Sequence, residues 1–162
     1  MNSPVDAGDF RKVMGLFATG VTIVATEVDG ELQCMTANAI TSVSLDPLLV
    51  LVCVNKELPI LEQLKLTKNF SINILREEQE ALSNYFAQLW EEESPPLYEF
   101  VAWEGVPRLK GCVGSLGCVL HEVFDGGDHS IVVGRVKALH QGVEPFLPLL
   151  FYGGRYGQMI PT

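Results

Sequence analysis

The sequence is poor in charge and has no long apolar run. Charged residues make up 19% of its 162 residues, where soluble domains usually have roughly 25%. Lysine and arginine number 11 against 20 acidic residues, a net charge of −9. This balance argues against a nucleic-acid partner, because phosphate contacts depend on basic side chains. The longest apolar run, 48–54, is too short for a helix that crosses a bilayer, so we expect no membrane partner either.

The sequence also lacks a secretion signal and the usual cysteine and histidine spacings. Residues 1–6 contain neither a basic nor an apolar segment, which predicts a cytoplasmic protein. No C-x-x-C pair occurs, so reduced thiols are expected at Cys34, Cys53, Cys112 and Cys118. A zinc pair of Cys118 and His121 is remote, because strand alternation turns the two side chains to opposite faces. We predict no metal site.

Core-forming residues are plentiful. Hydrophobic residues make up 48% of the chain, and the mean hydropathy is +0.23 with a pI near 4.7, which excludes disorder. The length fits one domain over 1–162. The low fraction of charged residues also indicates that apolar surface is left for contact with a partner subunit.

The local patterns predict many strands and few helices. Phe10, Val13, Met14 and Phe17 have helical spacing, with Ser3-Pro4 suited to begin the helix and Gly20 to end it. Asp29-Gly30 predicts a tight turn between strands. The predicted strands are 21–28, 31–38, 48–55, 70–75, 111–124, 130–140 and 147–152; the other predicted helices are 58–68 and 77–87, followed by a charged loop over 90–96.

This succession predicts a mainly β fold. Strands outnumber helices and do not alternate with them, which favours a closed antiparallel barrel with a few peripheral helices. Strand 48–55 is nearly all apolar and is expected to be buried on both faces.

The common catalytic motifs are missing. There is no G-x-x-x-x-G-K-[ST] loop, and Gly111, Gly114 and Gly117 form G-x-x-G-x-x-G, which is not the dinucleotide fingerprint. Ser115 is not in a G-x-S-x-G elbow.

One segment crowds polar side chains beside the apolar strand 48–55. Its hydroxyl and amide groups suit the polar edge of a flat heterocycle whose face is covered by apolar residues. The alternative is a polar edge strand whose side chains bond only to nearby backbone. The residues are Thr36, Asn38, Thr41, Ser42 and Ser44.

A second segment, Asp125-Gly-Gly-Asp-His129, is a turn that sets an imidazole at the start of a strand. A solvated histidine is the simpler interpretation. A metal site of Asp125, Asp128 and His129 is less favoured still, since no fourth ligand is near in sequence.

Over nearly its whole length the chain resembles the short-chain flavin reductases, FMN-binding split-barrel proteins that include the reductase components of two-component flavin monooxygenases. The most specific matching motifs are Thr41-Ser-Val-Ser-Leu-Asp-Pro47 and Gly127-Asp-His-Ser-Ile-Val-Val-Gly-Arg-Val136. Further matching segments are 17–26, 35–40, 49–56, 70–75, 82–87 and 148–156.

The resemblance implies a split β-barrel that binds FMN, with FAD as the alternative, and takes NADH or NADPH as reductant. It implies a nicotinamide-positioning, catalytic role for His129. It also implies a homodimer with the flavin at the interface and a monooxygenase component as partner. The cofactor-binding residues it implies are Thr36, Ala37, Asn38, Ser42, Val43, Ser44, Cys53, Val54, Asn55, Lys56, Tyr152, Arg155 and Tyr156.

The chain departs from the family at Glu57-Leu58-Pro59-Ile60. Members commonly carry serine or threonine hydroxyls there that hold the flavin phosphate. Lys56, Arg155 or the N–H groups at the start of the following helix would then have to hold the phosphate. Pro59 removes one of those N–H groups.

Three functions follow in order of preference. The first is an NAD(P)H:flavin oxidoreductase, in which hydride transfer needs no strong general base and backbone N–H groups around 37–43 stabilise the flavin's developing charge. The second is a flavin-binding electron carrier or sensor without a productive NAD(P)H site. The third is a barrel whose ligand site has degenerated. The presence together of Asn38, Ser42, Ser44 and His129 argues against this third function.

Overall fold

The computed structural model describes residues 5–143 and 147–160, which are mainly β. Helices are few and short: α1 is Ala7–Met14, α2 is Ile60–Thr67 and α3 is Glu80–Phe86, preceded by a 3-10 turn at Glu77–Gln79. The strands are β1 Thr19–Gly20, β2 Thr22–Val28, β3 Glu31–Ala37, β4 Ile40–Leu45, β5 Leu48–Asn55, β6 Asn69–Ile74, β7 Phe100–Trp103, β8 Val106–Leu109, β9 Gly114–Gly126, β10 His129–Gln141, β11 Leu150–Tyr152 and β12 Arg155–Gly157.

Seven strands form one antiparallel sheet in the order β3-β2-β6-β9-β10-β5-β4. Within the described residues β3 and β4 each have one hydrogen-bonded neighbour, so the sheet's two edges remain separate and the barrel is split. Both ends of the sheet nevertheless share one core, which contains Met35 of β3, Val52 of β5 and Phe70 of β6. The split barrel with peripheral helices is confirmed. The closed barrel expected from the strand pattern is not, because within the described residues β3 and β4 are not hydrogen-bonded to each other.

Strand β5 shows how the sheet is layered. Val50, Val52 and Val54 are buried in the core, and the residues between them are half-buried. The expectation that β5 is buried on both faces is therefore wrong for the single chain. Alternate side chains of a strand point to opposite faces, and the second face of β5 is only partly covered.

The turn between β2 and β3 follows from its two residues. Asp29 and Gly30 have φ values of 52° and 82°, as a two-residue hairpin turn requires, and glycine adopts such values without strain. The turn sets the register that pairs Val28 with Glu31 and Thr22 with Ala37.

Helix α1 forms, but its ends differ from the prediction. It runs over Ala7–Met14 and begins at Asp6, whose Oδ1 accepts a 2.8 Å hydrogen bond from the Asp9 amide. Gly15 ends it, five residues before the predicted Gly20, and Ser3 and Pro4 lie outside the described residues. Its apolar face is exposed, at 61% for Phe10, 66% for Val13, 50% for Met14 and 70% for the adjoining Phe17.

Three short β elements were not predicted: the β7–β8 hairpin, β1 and β12. Strands β1, β11 and β12 form a separate three-stranded sheet, tied to the end of α1 where the Gly153 amide donates to the Gly15 carbonyl at 2.7 Å. No helix in the described ranges is long and apolar enough to cross a membrane.

Candidate functional site

A groove runs over β3, between the C-terminal end of α3 and the loop that leads into α2. We call it the β3 groove; its cavity measures about 280 Å³. A second cavity of about 400 Å³ continues it across Gln33, Cys34, Phe86 and Gln88 towards Tyr98. The β3 groove is lined by Gln33, Cys34, Met35, Thr36, Leu58, Pro59, Ile60, Phe86, Ala87 and Gln88.

A row of aromatic rings meets this groove at Phe86, the one aromatic side chain among its lining residues. Phe86 packs edge-on against Tyr85 at 5.0 Å and against Tyr98 at 5.2 Å between ring centroids. Tyr98 continues the row to Phe100 at 6.0 Å. Burial and the neighbouring Tyr85 raise the pKa of Tyr98. Such a row suits a flat ring, because aromatic side chains stack or pack edge-on with a planar ligand.

Thr36 is the only sequence-predicted site residue among those that line the β3 groove. Its hydroxyl donates to the Ser83 carbonyl of α3 at 2.7 Å. The Ser83 hydroxyl is hydrogen-bonded to the Tyr156 hydroxyl at 2.8 Å, and the Tyr156 hydroxyl donates to Asn84 Oδ1 at 3.0 Å. The structure thus joins Thr36 of β3 and Tyr156 of β12 through α3.

Ser83 and Asn84 were missed as site residues. They lie 47 and 72 residues from their partners Thr36 and Tyr156. The matching segment 82–87 was the one available signal in the sequence.

Ala37 and Asn38 turn the chain from β3 to β4. Ala37 is buried, and its carbonyl accepts a 2.7 Å hydrogen bond from the Thr22 hydroxyl. Asn38 is exposed. The next carbonyl, that of Ala39, accepts from the Cys53 amide at 3.0 Å, which places this corner beside β5.

His129 lies at the C-terminal end of β5, opposite Asn55. Its Nδ1 is 2.8 Å from Asp128 Oδ1, and His129 lowers the pKa of the exposed Asp128 carboxyl. The turn that carries His129 is fastened to β5 by Lys56, whose amide donates to the Asp128 carbonyl at 3.1 Å.

The Lys56 ammonium also pairs with Asp125 on the same turn. This hydrogen bond holds the pKa of the Asp125 carboxyl below its usual range. Cys53, Asn55, Lys56 and His129 therefore lie together. Val54 belongs to the same strand but is fully buried in the core, so in the single chain it is not accessible to a ligand.

Ser42 and Ser44 line a different, apolar cavity of about 280 Å³ with Leu45, Leu48 and Leu139. Val43 lies between them at a bulge and is 49% exposed. Within one chain the structure does not bring these residues to the β3 groove.

Hairpin β11–β12 carries the last predicted residues. Tyr152 is opposite Arg155 in its register, and both side chains are exposed. Only Tyr156 of this hairpin bonds to α3. Across the described ranges no group of histidine, cysteine and acidic side chains is arranged to hold a metal ion.

Comparison with known proteins identifies the fold. The family model described as "Flavin reductase like domain" matches residues 14–159. The chain belongs to this family. An NADH-dependent flavin reductase from Rhodococcus sp is 41% identical, with 90% of this chain and 82% of the relative covered. The reductase component of a 4-hydroxyphenylacetate 3-monooxygenase from Thermus thermophilus is 37% identical over 93% of this chain and 95% of that protein.

Among solved structures, flavin reductase PheA2 in its native state superposes with a TM-score of 0.90 at 37% identity and covers 97% of this chain and 100% of that chain. For this flavin reductase-like chain, the β3 groove fits the uncharged part of a flavin. The Phe86 ring suits the isoalloxazine ring, and the amides of Gln33 and Gln88 suit its polar edge.

Proposed function

We propose that this chain is an NAD(P)H-dependent flavin oxidoreductase, a single domain over 1–162, whose β3 groove holds the flavin. The observation that carries the proposal is an uncharged groove, bordered by the Phe86 ring, in a member of the flavin reductase-like family. When bound, the flavin accepts a hydride from the nicotinamide; FMN is the preferred flavin, with FAD as the alternative.

The chain's own contribution is to position and shield the flavin. Phe86 would cover a face of the flavin ring, and Thr36, fixed to α3 by its hydrogen bond to Ser83, sets the width of the groove. Backbone amides at the β3–β4 corner, around Ala37 and Asn38, are proposed to face the ring edge where negative charge builds up. Hydride transfer requires that the nicotinamide and flavin rings be held at near-attack distance, and it needs no strong base.

His129 is proposed to position the nicotinamide. The loop after Asn55 leads directly to Leu58 and Pro59 of the β3 groove, and His129 is the cross-strand neighbour of Asn55. His129→Ala should therefore raise the KM for NADH more than it raises the Kd for flavin. Equal losses in both would remove this role, and His121→Ala, an exposed histidine on β9, is the matched control.

A second copy of this chain is proposed to cover the cavity beside Ser42 and Ser44. Its rim is apolar and exposed, at 86% for Leu45 and 69% for Leu139, and exposed apolar patches of this kind mark interfaces. This arrangement would bring Ser42, Val43, Ser44, Tyr152 and Arg155 to a flavin at the interface.

The oligomeric state tests this arrangement. Leu139→Glu should convert a dimer to a monomer in sedimentation velocity, whereas Leu97→Glu, at a loop residue that is 99% exposed, should not. A wild-type monomer at micromolar concentration would contradict it.

A separate monooxygenase component is proposed as the consumer of the reduced flavin. Support comes from the Thermus thermophilus relative, which is named as such a reductase component. The four cysteines are free thiols, which agrees with the reducing cytoplasm as the proposed location.

The test of the activity is NADH consumption by the purified protein with and without added FMN. A rate that rises with FMN is expected. A yellow protein that consumes no NADH would instead favour a bound-flavin electron carrier.

A further inference from the structure

The face of the β9–β10 pair that meets the β7–β8 hairpin carries an indole ring packed over a glycine. Trp103 of β7 is half-buried. A Cβ added to Gly117 of β9 would lie 3.3 Å from the Cζ3 atom of Trp103 and 3.2 Å from the Cβ of Ala138 on β10. The missing side chain at Gly117 therefore makes the space into which the ring packs, and this packing holds the hairpin against the sheet.

Arg108 of β8 is an unpaired cation beside this ring. Its guanidinium carbon is 5.8 Å from the Trp103 ring centroid, within the range of a cation–π contact. Its Nε is buried and has no hydrogen-bond partner in the described part of the chain, whereas its two terminal nitrogens are not among the buried, unpaired atoms and are open to a ligand. A buried donor without an acceptor is rare in folded proteins and points to a missing partner.

Other cations of the chain do have acidic partners. Among the described residues no carboxylate forms an ion pair with Arg108, although the chain has 20 acidic residues. The cations that pair with a carboxylate are Lys12, Lys56, Lys65, Arg76 and Lys110.

A second nitrogen-containing ring completes the cluster. His140 of β10 packs edge-on against Trp103, with 6.3 Å between the ring centroids and 71° between the ring planes. The indole N–H of Trp90 donates to the Ser94 carbonyl at 2.9 Å; within the described ranges neither the Trp103 indole nor the His140 ring has such a partner. We call Trp103, Arg108 and His140 the Trp103 cluster.

The chemistry of the Trp103 cluster matches a carboxylate. The cluster has N–H donors and one full positive charge, and it contains no acidic side chain. A carboxylate carries one negative charge and only accepts hydrogen bonds, and its two oxygens match the planar guanidinium group. A phosphate monoester carries about −1.5 to −2 charges at neutral pH, which one arginine does not balance. Val101, the cross-strand neighbour of Arg108, adds apolar surface for the carbon part of an organic acid.

We propose that the Trp103 cluster binds a small organic carboxylate, with the terminal nitrogens of Arg108 on the two carboxylate oxygens and the Trp103 indole N–H as a further donor. The site shares no residue with the β3 groove or with the cavity beside Ser42 and Ser44. Leu139 and His140 are consecutive in β10 and therefore point to opposite faces of the sheet. A second copy that covers Leu139 thus leaves the Trp103 cluster open.

The indole N–H resonances test this site, because the chain contains two tryptophans. Sodium acetate, added at constant ionic strength in place of sodium chloride, should shift the Trp103 resonance saturably in proton–nitrogen NMR spectra. Trp90, whose N–H is already bonded to Ser94, should not shift and serves as the internal reference. A shift that does not saturate, an equal shift of both resonances, or tighter binding of inorganic phosphate than of acetate would overturn the inference.

Substitutions of Arg108 identify the residue that binds the carboxylate. Arg108→Gln should weaken acetate binding by about tenfold or more, because a charge-assisted hydrogen bond is lost. Arg108→Lys keeps the charge but not the planar group, so its affinity should lie between those of the wild type and Arg108→Gln. Arg11→Gln, the same charge change on the exposed surface of α1, should have no effect.

The variants also separate this site from a contact between two copies of the chain. An unshifted Trp90 resonance in Arg108→Gln shows that the variant is folded. Unchanged acetate affinity in that folded variant would overturn the inference. A dimer that dissociates on Arg108→Gln in sedimentation velocity would assign Arg108 to the contact between copies and would overturn it as well.

Discussion

Replacing Tyr156 by phenylalanine removes the hydroxyl that joins hairpin β11–β12 to α3. This hydroxyl is hydrogen-bonded to Ser83 at 2.8 Å and donates to Asn84 at 3.0 Å. Because α3 also receives the Thr36 hydroxyl from β3, the Tyr156 hydroxyl supports one wall of the β3 groove from behind.

The magnitude follows from these contacts. A neutral hydrogen bond contributes about 1 kcal/mol net, and two are lost, so Tyr156→Phe should lower the free energy of unfolding by about 1–2 kcal/mol. Ser83 is fully buried, and its hydroxyl is left without the Tyr156 partner, which places the expected value towards the upper end of this range. Tyr152→Phe, on the same hairpin but 53% exposed, should change the unfolding free energy by less than about 0.5 kcal/mol.

The assay is urea unfolding followed by fluorescence, combined in a double-mutant cycle with Ser83→Ala. Residues in direct contact should show a coupling energy of about 0.5–1 kcal/mol. Additive losses, with a coupling below about 0.3 kcal/mol, would refute the hydrogen-bonded link between the hairpin and α3.

A glycine substitution tests the packing of the core, and a chemical label tests the Cys34 thiol of the β3 groove. Gly134→Ala would set a Cβ 2.6 Å from Phe70 Cζ, inside the fully buried core, and should destabilise the protein by about 1–3 kcal/mol in urea unfolding; Gly157→Ala, which meets nothing within 4 Å, should not. Burial raises the pKa of Cys34 to about 12 from 9.0, so iodoacetamide at about pH 8 should label it about a thousandfold more slowly in the folded than in the unfolded protein, as followed by mass spectrometry. The same shift means that the unfolded thiol loses its proton first, so the Cys34 contribution to stability should be complete below pH 9 and decline as the pH rises towards about 12. Rapid labelling of Cys34, or a Gly134→Ala protein as stable as the wild type, would contradict the packing described here.

The parts of the fold that sequence predicted are those fixed by short-range chemistry. Asp29-Gly30 takes the positive φ values of its turn, and β5 has the bounds predicted for it, 48–55. The β7–β8 hairpin was missed because its turn uses Glu104 at φ 49° and Gly105, and because Pro107 within β8 speaks against a strand.

The candidate site was harder to predict because its contacts join distant segments. Thr36 was predicted, but its partner Ser83 and the neighbouring groove residues Phe86 and Gln88 lie more than 40 residues away. Ser42 and Ser44 were predicted on motif grounds, and the single chain places them at another cavity. Their part in the site stays a prediction that depends on the second copy.

Flavin binding after filling either the β3 groove or a larger cavity elsewhere in the chain tests the central claim most directly. Ala87→Phe fills the β3 groove, and Ala102→Phe makes the same change in the cavity of about 470 Å³ beside β7 and β8. The account predicts that Ala87→Phe raises the Kd for flavin by more than about tenfold and that Ala102→Phe leaves it unchanged. The opposite pattern, in two folded proteins, would contradict the assignment of the β3 groove as the flavin site.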